Sequence, residues 1–249
     1  VPYDEVIQHG FVSSKNWPEV LVSRDVFPIL RTIARSHKIS FRSELEDDPL
    51  KQQIIFYAAI IYRGHLLWYQ RAGEQMTQLP QEMLGDERLR GKFSIGVGGH
   101  KTEDDILSVE GDFIKLTFPL VEDELRAMIG VNRGLLAEVE EEIGIRRQHF
   151  VDSPHVLGGF MDRRNVKPED LRYQHPVGFV HLALPTIVEI SPDAGQLTFS
   201  EREVVWAGWV PLGKVEEKLE EALASPYGVD SWTEVFIREF LPLYLQGLQ

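Results

Sequence analysis

Apolar positions along the chain fall into two rhythms, and each predicts its own kind of element. Ile54 to Tyr62 is an unbroken apolar and aromatic run, which predicts a strand buried on both faces. Arg63-Gly64-His65 then predicts a hairpin turn, with Leu66 to Gln70 as the returning strand. Residues 72–92 are polar, hold Pro80 and Gly85, and predict a long loop of a kind that often carries function. Further strands are predicted at Phe93–Val97, Phe150–Phe160, Val177–Ile190 with a break at Pro185, and Glu201–Trp209. Phe27, Leu30, Ile33 and Ala34 keep helical spacing and predict a helix from about Arg24 to Ser36. From Glu122 a helical pattern runs, with a break at Gly130, to Ile143. Val215–Ala224 is another predicted helix, closed by Pro226 and Gly228. The last helix is predicted to start at Ser231, where Ser231 and Glu234 make a capping-box pattern. Strands followed by late helices predict an α/β sandwich around a mixed sheet.

The helical stretch that ends at Ile143 also carries chemistry. It places four glutamates in five positions, Glu138 and Glu140 to Glu142, and then meets Gly144. At roughly 100° per residue, Glu138, Glu141 and Glu142 share an arc of about 100°. Leu135, Leu136, Val139 and Ile143 fill the neighbouring arc and predict the buried stripe, while Glu140 points to solvent. Like charges three and four residues apart repel by a few tenths of a kcal/mol per pair. A divalent cation would remove that penalty, and hard oxygen ligands suit Mg²⁺ or Mn²⁺. A solvated acidic helix face accounts for the same residues equally well. Upstream, Gly91-Lys92-Phe93-Ser94-Ile95-Gly96-Val97-Gly98-Gly99-His100 is a short apolar strand running into a glycine-rich turn.

Together these segments resemble the Nudix (MutT-like) hydrolase family. Its box joins a glycine turn, an intervening loop with another glutamate, and the pattern Arg-Glu-apolar-x-Glu-Glu-x-Gly-apolar. Ala137 to Ile145 matches every position of the second half except the arginine, whose place Ala137 takes. The chain is most similar to MutT-type phosphoesterases that carry Ser-Ile-Gly-Val-Gly-Gly-His before the box. Leu66 to Arg71 resembles the family's early strand, Pro176 to Leu182 a late one, and Glu203 to Leu212 with Asp230-Ser231-Trp232 the closing strand and helix. The resemblance implies a Nudix-like α/β/α sandwich over residues 1–249 as a single domain. Residues 1–50 would be an N-terminal extension packed on it, and about 101–131 an insertion within the box. It also implies a metal-dependent hydrolase of a diphosphate linkage, with a small-molecule substrate such as a nucleoside diphosphate linked to another moiety. Glu138, Glu141 and Glu142 would be catalytic and would bind Mg²⁺ or Mn²⁺. Gly98 and Gly99 would shape the turn that places the helix, and a homodimer is an assembly found often in the family. His100, after the double glycine, is a candidate to touch phosphate at the mouth of the site, with a loop histidine of no function as an equal reading.

Two departures support a different reading, a catalytically silent Nudix domain that binds a nucleotide or a protein partner. One is Ala137 in place of the arginine that orients the glutamates in the family. The other is the stretched box, in which Gly99 and Glu138 lie 39 positions apart. Glu103, Glu110 and Glu122 all compete for the place of the intermediate glutamate, and Arg126 and Arg133 are candidates for the absent arginine. Isopentenyl-diphosphate isomerases also resemble Nudix proteins, but their chemistry leans on a cysteine, and this chain has none.

Composition narrows the partners. The 249 residues have a net charge of −13 with no block of lysine or arginine, so a long nucleic-acid backbone would be repelled. Without cysteine there are no disulfides and no thiolate metal sites. No apolar run approaches the roughly 20 residues that span a bilayer, and Val1-Pro2-Tyr3-Asp4-Glu5 lacks the features of a signal peptide. A cytoplasmic protein with no membrane partner is expected.

Several other residues admit both a functional and a plain reading. Trp68, Tyr69 and Arg71 at a strand end are candidates to stack on a base or clamp a phosphate, with sheet packing as the stronger reading. Asp162-Arg163-Arg164 is expected to be a solvated turn, and His181 a hydrogen-bonded core histidine. No pair of histidines beside the glutamates has the spacing of a zinc site.

Overall fold

Period-two and continuous apolar runs become strands here, and residues spaced by three and four become helices. The computed structural model describes residues 2–8, 10–36, 51–73, 89–99, 135–164, 181–194, 197–199 and 204–247. These form two compact units. The first comprises the described residues within Val1–Tyr57, Gly98–Ala137 and Val156–Thr186, and the second those within Ala58–Val97, Glu138–His155 and Ile187–Gln249. The strands are β1 (Val12–Ser13), β2 (Val20–Ser23), β3 (Gln53–Tyr62), β4 (His65–Arg71), β5 (Phe93–Ser94), β6 (Gly96–Val97), β7 (His155–Val156), β8 (Gly159–Asp162), β9 (His181–Ile190) and β10 (Val204–Pro211).

In the first unit, helix α1 (Tyr3–Ile7) precedes β1 and β2, and helix α2 (Val26–Ser36) follows them. β2 pairs antiparallel with β1, and with β8 from Val20↔Asp162 to Ser23↔Gly159. β8 in turn pairs with β9 at Phe160↔Ala183. The N-terminal stretch therefore supplies a strand to the ladder. α2 starts where the Asp25 carboxylate accepts from the Phe27 N–H at 3.1 Å, and it buries Ile29, Leu30 and Ile33. Phe27, assigned by its spacing to the apolar face, is exposed.

Asp162-Arg163-Arg164 is not a solvated turn. Asp162 is buried, and Arg164 grips it through Nε and Nη2, each at 2.9 Å. The Arg164 guanidinium lies 4.4 Å from the centre of the Trp17 ring, and Arg163 donates to the Tyr3 hydroxyl at 2.8 Å. Two planar cations find two rings on the N-terminal stretch, a match invisible to local sequence. Pro185 does not interrupt β9 either. Proline brings no N–H to a ladder, but its carbonyl still accepts, here from Leu157 N–H at 2.8 Å. His181 is buried in the same strand, as expected.

In the second unit, β3 and β4 form the predicted hairpin, with Ile61↔Leu66 and Tyr62↔His65 paired. Arg63 and Gly64 both have positive φ, 48° and 72°, which is the two-residue turn that matches strand twist. β4 pairs along its length with β10. The strand predicted at Phe93–Val97 is split at Ile95. Its first half, β5, pairs with β4, and its second half, β6, pairs with β3 through Ala58↔Val97 and Ala59↔Gly96. All these ladders are antiparallel, and a parallel bridge joins Phe93 to Val229.

Three longer helices and two short 3-10 turns, Arg147–His149 and Leu212–Lys214, are also described in this unit. Residues 135–143 form α3, which enters it from Glu138. α4 (Val215–Leu223) buries Val215, Leu219 and Ala222. α5 begins at Ser231–Val235, passes through a π-helical turn at Phe236–Phe240 and ends at Leu241–Gly247. Its cap lies one residue before the predicted Ser231. Asp230 accepts from Thr233 N–H at 2.8 Å and from the Thr233 hydroxyl at 2.7 Å. Thr233 Oγ1 then accepts from Ile95 N–H at 3.1 Å, which satisfies the backbone at the break between β5 and β6. Phe236 and Phe240 are fully buried in the core of this unit. No helix among the described residues is long and apolar enough to cross a membrane.

Candidate active site

Helix α3 forms because its apolar residues recur one turn apart, and it stops because of Gly144. Leu135, Val139 and Ile143 are buried and Leu136 is half-buried, so the predicted stripe is the packed face. Glu138 and Glu142 are half-buried at the edge of that stripe, whereas Ala137, Glu140 and Glu141 are exposed. Gly144 takes φ +71°, a left-handed conformation, and its N–H donates to the Glu140 carbonyl at 2.9 Å. Thr198 N–H donates to the Ile143 carbonyl at 3.0 Å. The end of α3 is thus satisfied by its own glycine and by the 197–199 segment. Glu140 meets Arg146 at 3.5 Å in solvent, a contact worth little.

Glu142 and Ile143 form one wall of a small cleft in the second unit. Tyr69 and Arg71 of β4, Val97 of β6, Phe199 and Val204 complete it. Strand alternation turns Tyr69 and Arg71 to this side and Trp68, fully buried, to the other. The Tyr69 hydroxyl donates to the Gly96 carbonyl and accepts from Arg71 Nη2 at 3.0 Å. The guanidinium also lies 5.5 Å from the centre of the Tyr69 ring, whose other neighbour is the Phe199 ring at 6.1 Å. Burial pushes the Tyr69 hydroxyl well above the usual phenol range. Arg71 opposes that shift and Glu142 adds to it. Tyr69 is therefore a neutral donor at any ordinary pH.

The predicted site residues fall in different places. Gly98 and Gly99 belong to the first unit, where Gly98 has φ 155° and Gly99 carbonyl accepts from Phe56 N–H at 3.4 Å. A Cβ on Gly98 would stand 2.8 Å from the Phe56 carbonyl carbon and still closer to its oxygen. Close backbone approach is what this position requires. His100, residues 101–131 with Glu103, Glu110, Glu122 and Arg126, and also Arg133 lie outside the described residues. Among the described residues, no three His, Asp or Glu side chains are grouped closely enough to hold a metal ion. Of the three glutamates, the half-buried pair is Glu138 and Glu142, one turn apart, and Glu141 stands about 100° round the helix from Glu142. Tyr69 and Arg71 are cleft residues, although packing was the stronger reading of the sequence. Phe199 and Val204 have no local signal, since only the fold brings them to α3.

Comparison with known proteins bears on the fold. Neither a protein-family model nor a curated protein matches the chain. Among solved structures, Tm1382, a candidate Nudix hydrolase, superposes on 100% of this chain and 97% of its own, with a TM-score of 0.55 and 17% identity. DR0079 from Deinococcus radiodurans covers 82% of this chain and 94% of its own, with a TM-score of 0.44 and 14% identity. The MutT protein from Methanosarcina mazei Go1 covers 79% and 96%, with a TM-score of 0.40 and 16% identity. The last two likenesses are too weak to add weight. The first establishes that the chain has the Nudix fold, an α/β/α sandwich around a mixed sheet.

Proposed function

We propose that the chain is a metal-dependent hydrolase that cleaves a diphosphate linkage in a small molecule, such as a nucleoside diphosphate joined to another group. The observation that carries this reading is the cleft in which Glu142, at the end of the acidic helix, shares a wall-to-wall space with Arg71 and Tyr69. Glu138 and Glu142 are a hard-oxygen pair that suits Mg²⁺ or Mn²⁺. Mg²⁺ in particular takes one or two carboxylates and leaves its other positions to water and phosphate. Such an ion, when bound, neutralises phosphate charge and makes water more acidic.

The chain's own groups have distinct tasks in this reading. Glu138 and Glu142 hold the cation. Arg71 adds a fixed positive charge to the cleft that receives an anionic substrate. Tyr69 keeps its proton and spends its hydroxyl on the Gly96 carbonyl and Arg71, so it acts as a brace. Glu141, exposed beside Glu142, is the candidate to take a proton from the attacking water. The reaction consumes one water, whose oxygen forms a new bond to phosphorus while the bond to the bridging oxygen breaks. Its test is a variant series. Glu142→Gln should remove turnover and weaken Mn²⁺ binding, and Glu141→Gln should slow turnover by about a hundredfold or more while Mn²⁺ still binds. Full activity in Glu142→Gln contradicts the proposal.

The second reading is a silent Nudix-type domain that binds a nucleotide or a protein. It is favoured by exposed Ala137 and by the absence, among the described residues, of a group of three metal-ligating side chains. Ligand binding that survives Glu142→Gln in a protein without turnover would support it.

A further inference from the structure

A buried chain of hydrogen bonds runs from the cap of α5 to the lining of the cleft, wholly within the second unit. It starts at Asp230, which is buried and accepts from the Thr233 hydroxyl at 2.7 Å and from the Thr233 N–H at 2.8 Å. A hydroxyl has one proton, and Thr233 gives it to the carboxylate. Its oxygen is left as an acceptor, and it takes the Ile95 N–H at 3.1 Å. Ile95 is the residue at which the strand leaves β4 for β3. Across that break, Ser94 Oγ accepts from Gly96 N–H at 3.3 Å, and the Gly96 carbonyl accepts from the Tyr69 hydroxyl. Val97, the next residue, lines the cleft beside Tyr69. In addition, Phe93 N–H donates to the Gly228 carbonyl at 3.1 Å, and Asp230 N–H donates to the Phe93 carbonyl at 2.9 Å. Residues 228–233 therefore grip the strand at both Phe93 and Ile95. Ser94, Ile95 and Thr233 are closed to solvent, so water cannot replace a missing partner. An Ile95 N–H left unpaired there would carry its full desolvation cost. The strand would shed that cost by leaving β4 at another residue, and Gly96 and Val97 would move with it.

We infer that Thr233, oriented by Asp230, is a positioning residue of the cleft. Its hydroxyl oxygen fixes where the strand leaves β4, and so places the Gly96 carbonyl against Tyr69 and Val97 in the lining. The inference rests on the hydrolase reading only in treating the cleft as the place where substrate sits. The link from Thr233 to Tyr69 stands without it.

The experiment reads the Tyr69 ring by carbon NMR in the full chain, labelled with ¹³Cζ-tyrosine and free of metal. The Cζ resonance reports the hydrogen bonding of the hydroxyl, and Tyr69 is picked out among the seven tyrosines by the signal lost in Tyr69→Phe. Thr233→Val keeps the shape of the side chain and removes the acceptor, so the Tyr69 resonance should be displaced by more than its line width. Thr233→Ser restores an oxygen and should bring the resonance back. An undisplaced resonance in folded Thr233→Val overturns the inference, as does an equal displacement in Thr233→Ser. If Thr233→Val does not fold, Asp230→Asn carries the comparison, because an amide nitrogen facing Oγ1 donates to it instead of taking its proton. The same variants are then assayed on any diphosphate compound that the wild type cleaves with Mg²⁺. Misplaced cleft walls should lower kcat/KM about 10- to 100-fold in Thr233→Val, with partial recovery in Thr233→Ser. Unchanged kcat/KM alongside a displaced resonance overturns the positioning role. A wild type that cleaves nothing overturns the hydrolase reading instead, and the resonance still decides the link to Tyr69.

Discussion

Replacing Gly98 by alanine separates two roles for the glycine turn. If the glycine served only to let an anion approach the backbone, an added methyl would weaken ligand binding and leave the fold intact. The structure gives it a different task. A Cβ at Gly98 would meet the Phe56 carbonyl, with the carbonyl carbon at 2.8 Å and the oxygen nearer still, while a φ of 155° disfavours any L side chain. The obstacle is backbone inside a buried strand, so rotation of a side chain cannot relieve it. Moving residue 98 away breaks the 3.4 Å bond from Phe56 N–H to the Gly99 carbonyl, at a cost of about 1 kcal/mol. Residual backbone strain adds about 1–3 kcal/mol. The sum, about 2–4 kcal/mol, corresponds to a fall in melting temperature of roughly 4–16 °C for a chain of this size. Circular dichroism melts of wild type and Gly98→Ala in the absence of any ligand measure it. A midpoint within 2 °C of wild type would refute the close-approach argument.

Three further variants test the cap and the buried tyrosine. Asp230→Ala removes both bonds to Thr233 and should cost about 2 kcal/mol, or roughly 4–8 °C in melting temperature. Ser231→Ala, the cap expected from the sequence, should change it by no more than a degree or two. Equal effects would refute the assignment of the cap. Tyr69 has a folded pKa raised first by burial, so its contribution is present below the unfolded value near 10 and is lost as pH rises above it. Urea unfolding between about pH 8 and pH 11.5 should show stability falling above about pH 10. The fall should be shallower in Tyr69→Phe, with a remainder from Tyr244, raised by burial and by Glu189. An identical alkaline slope in the variant would remove Tyr69 from the account.

Much of the fold was legible because it is written in local periodicity. The run at 54–62, the hairpin at Arg63-Gly64 and the apolar stripe of α3 depend on residues close in sequence. What was not legible depends on partners far away. The break at Ile95 exists because the strand changes neighbours from β4 to β3, and Thr233, 138 positions on, satisfies the amide there. Asp230 and Ser231 are both good capping residues, and only the entry angle of the chain chooses between them. The stacking of Arg164 on Trp17 joins distant stretches. The candidate site divides in the same way. The glutamates announce themselves, while the cleft roles of Tyr69 and Arg71 emerge only once α3 and the 197–199 segment face β4.

The claim at the centre of this account is that the acidic helix serves hydrolysis of a diphosphate bond. The most direct test is phosphorus NMR of a panel of diphosphate-linked compounds incubated with the full chain, with Mg²⁺, with Mn²⁺ and with a chelator. The account predicts cleavage of at least one class of compound that needs the metal and disappears in Glu142→Gln. Folded protein that cleaves nothing in the panel with metal present, or cleaves equally well with the chelator, would contradict it.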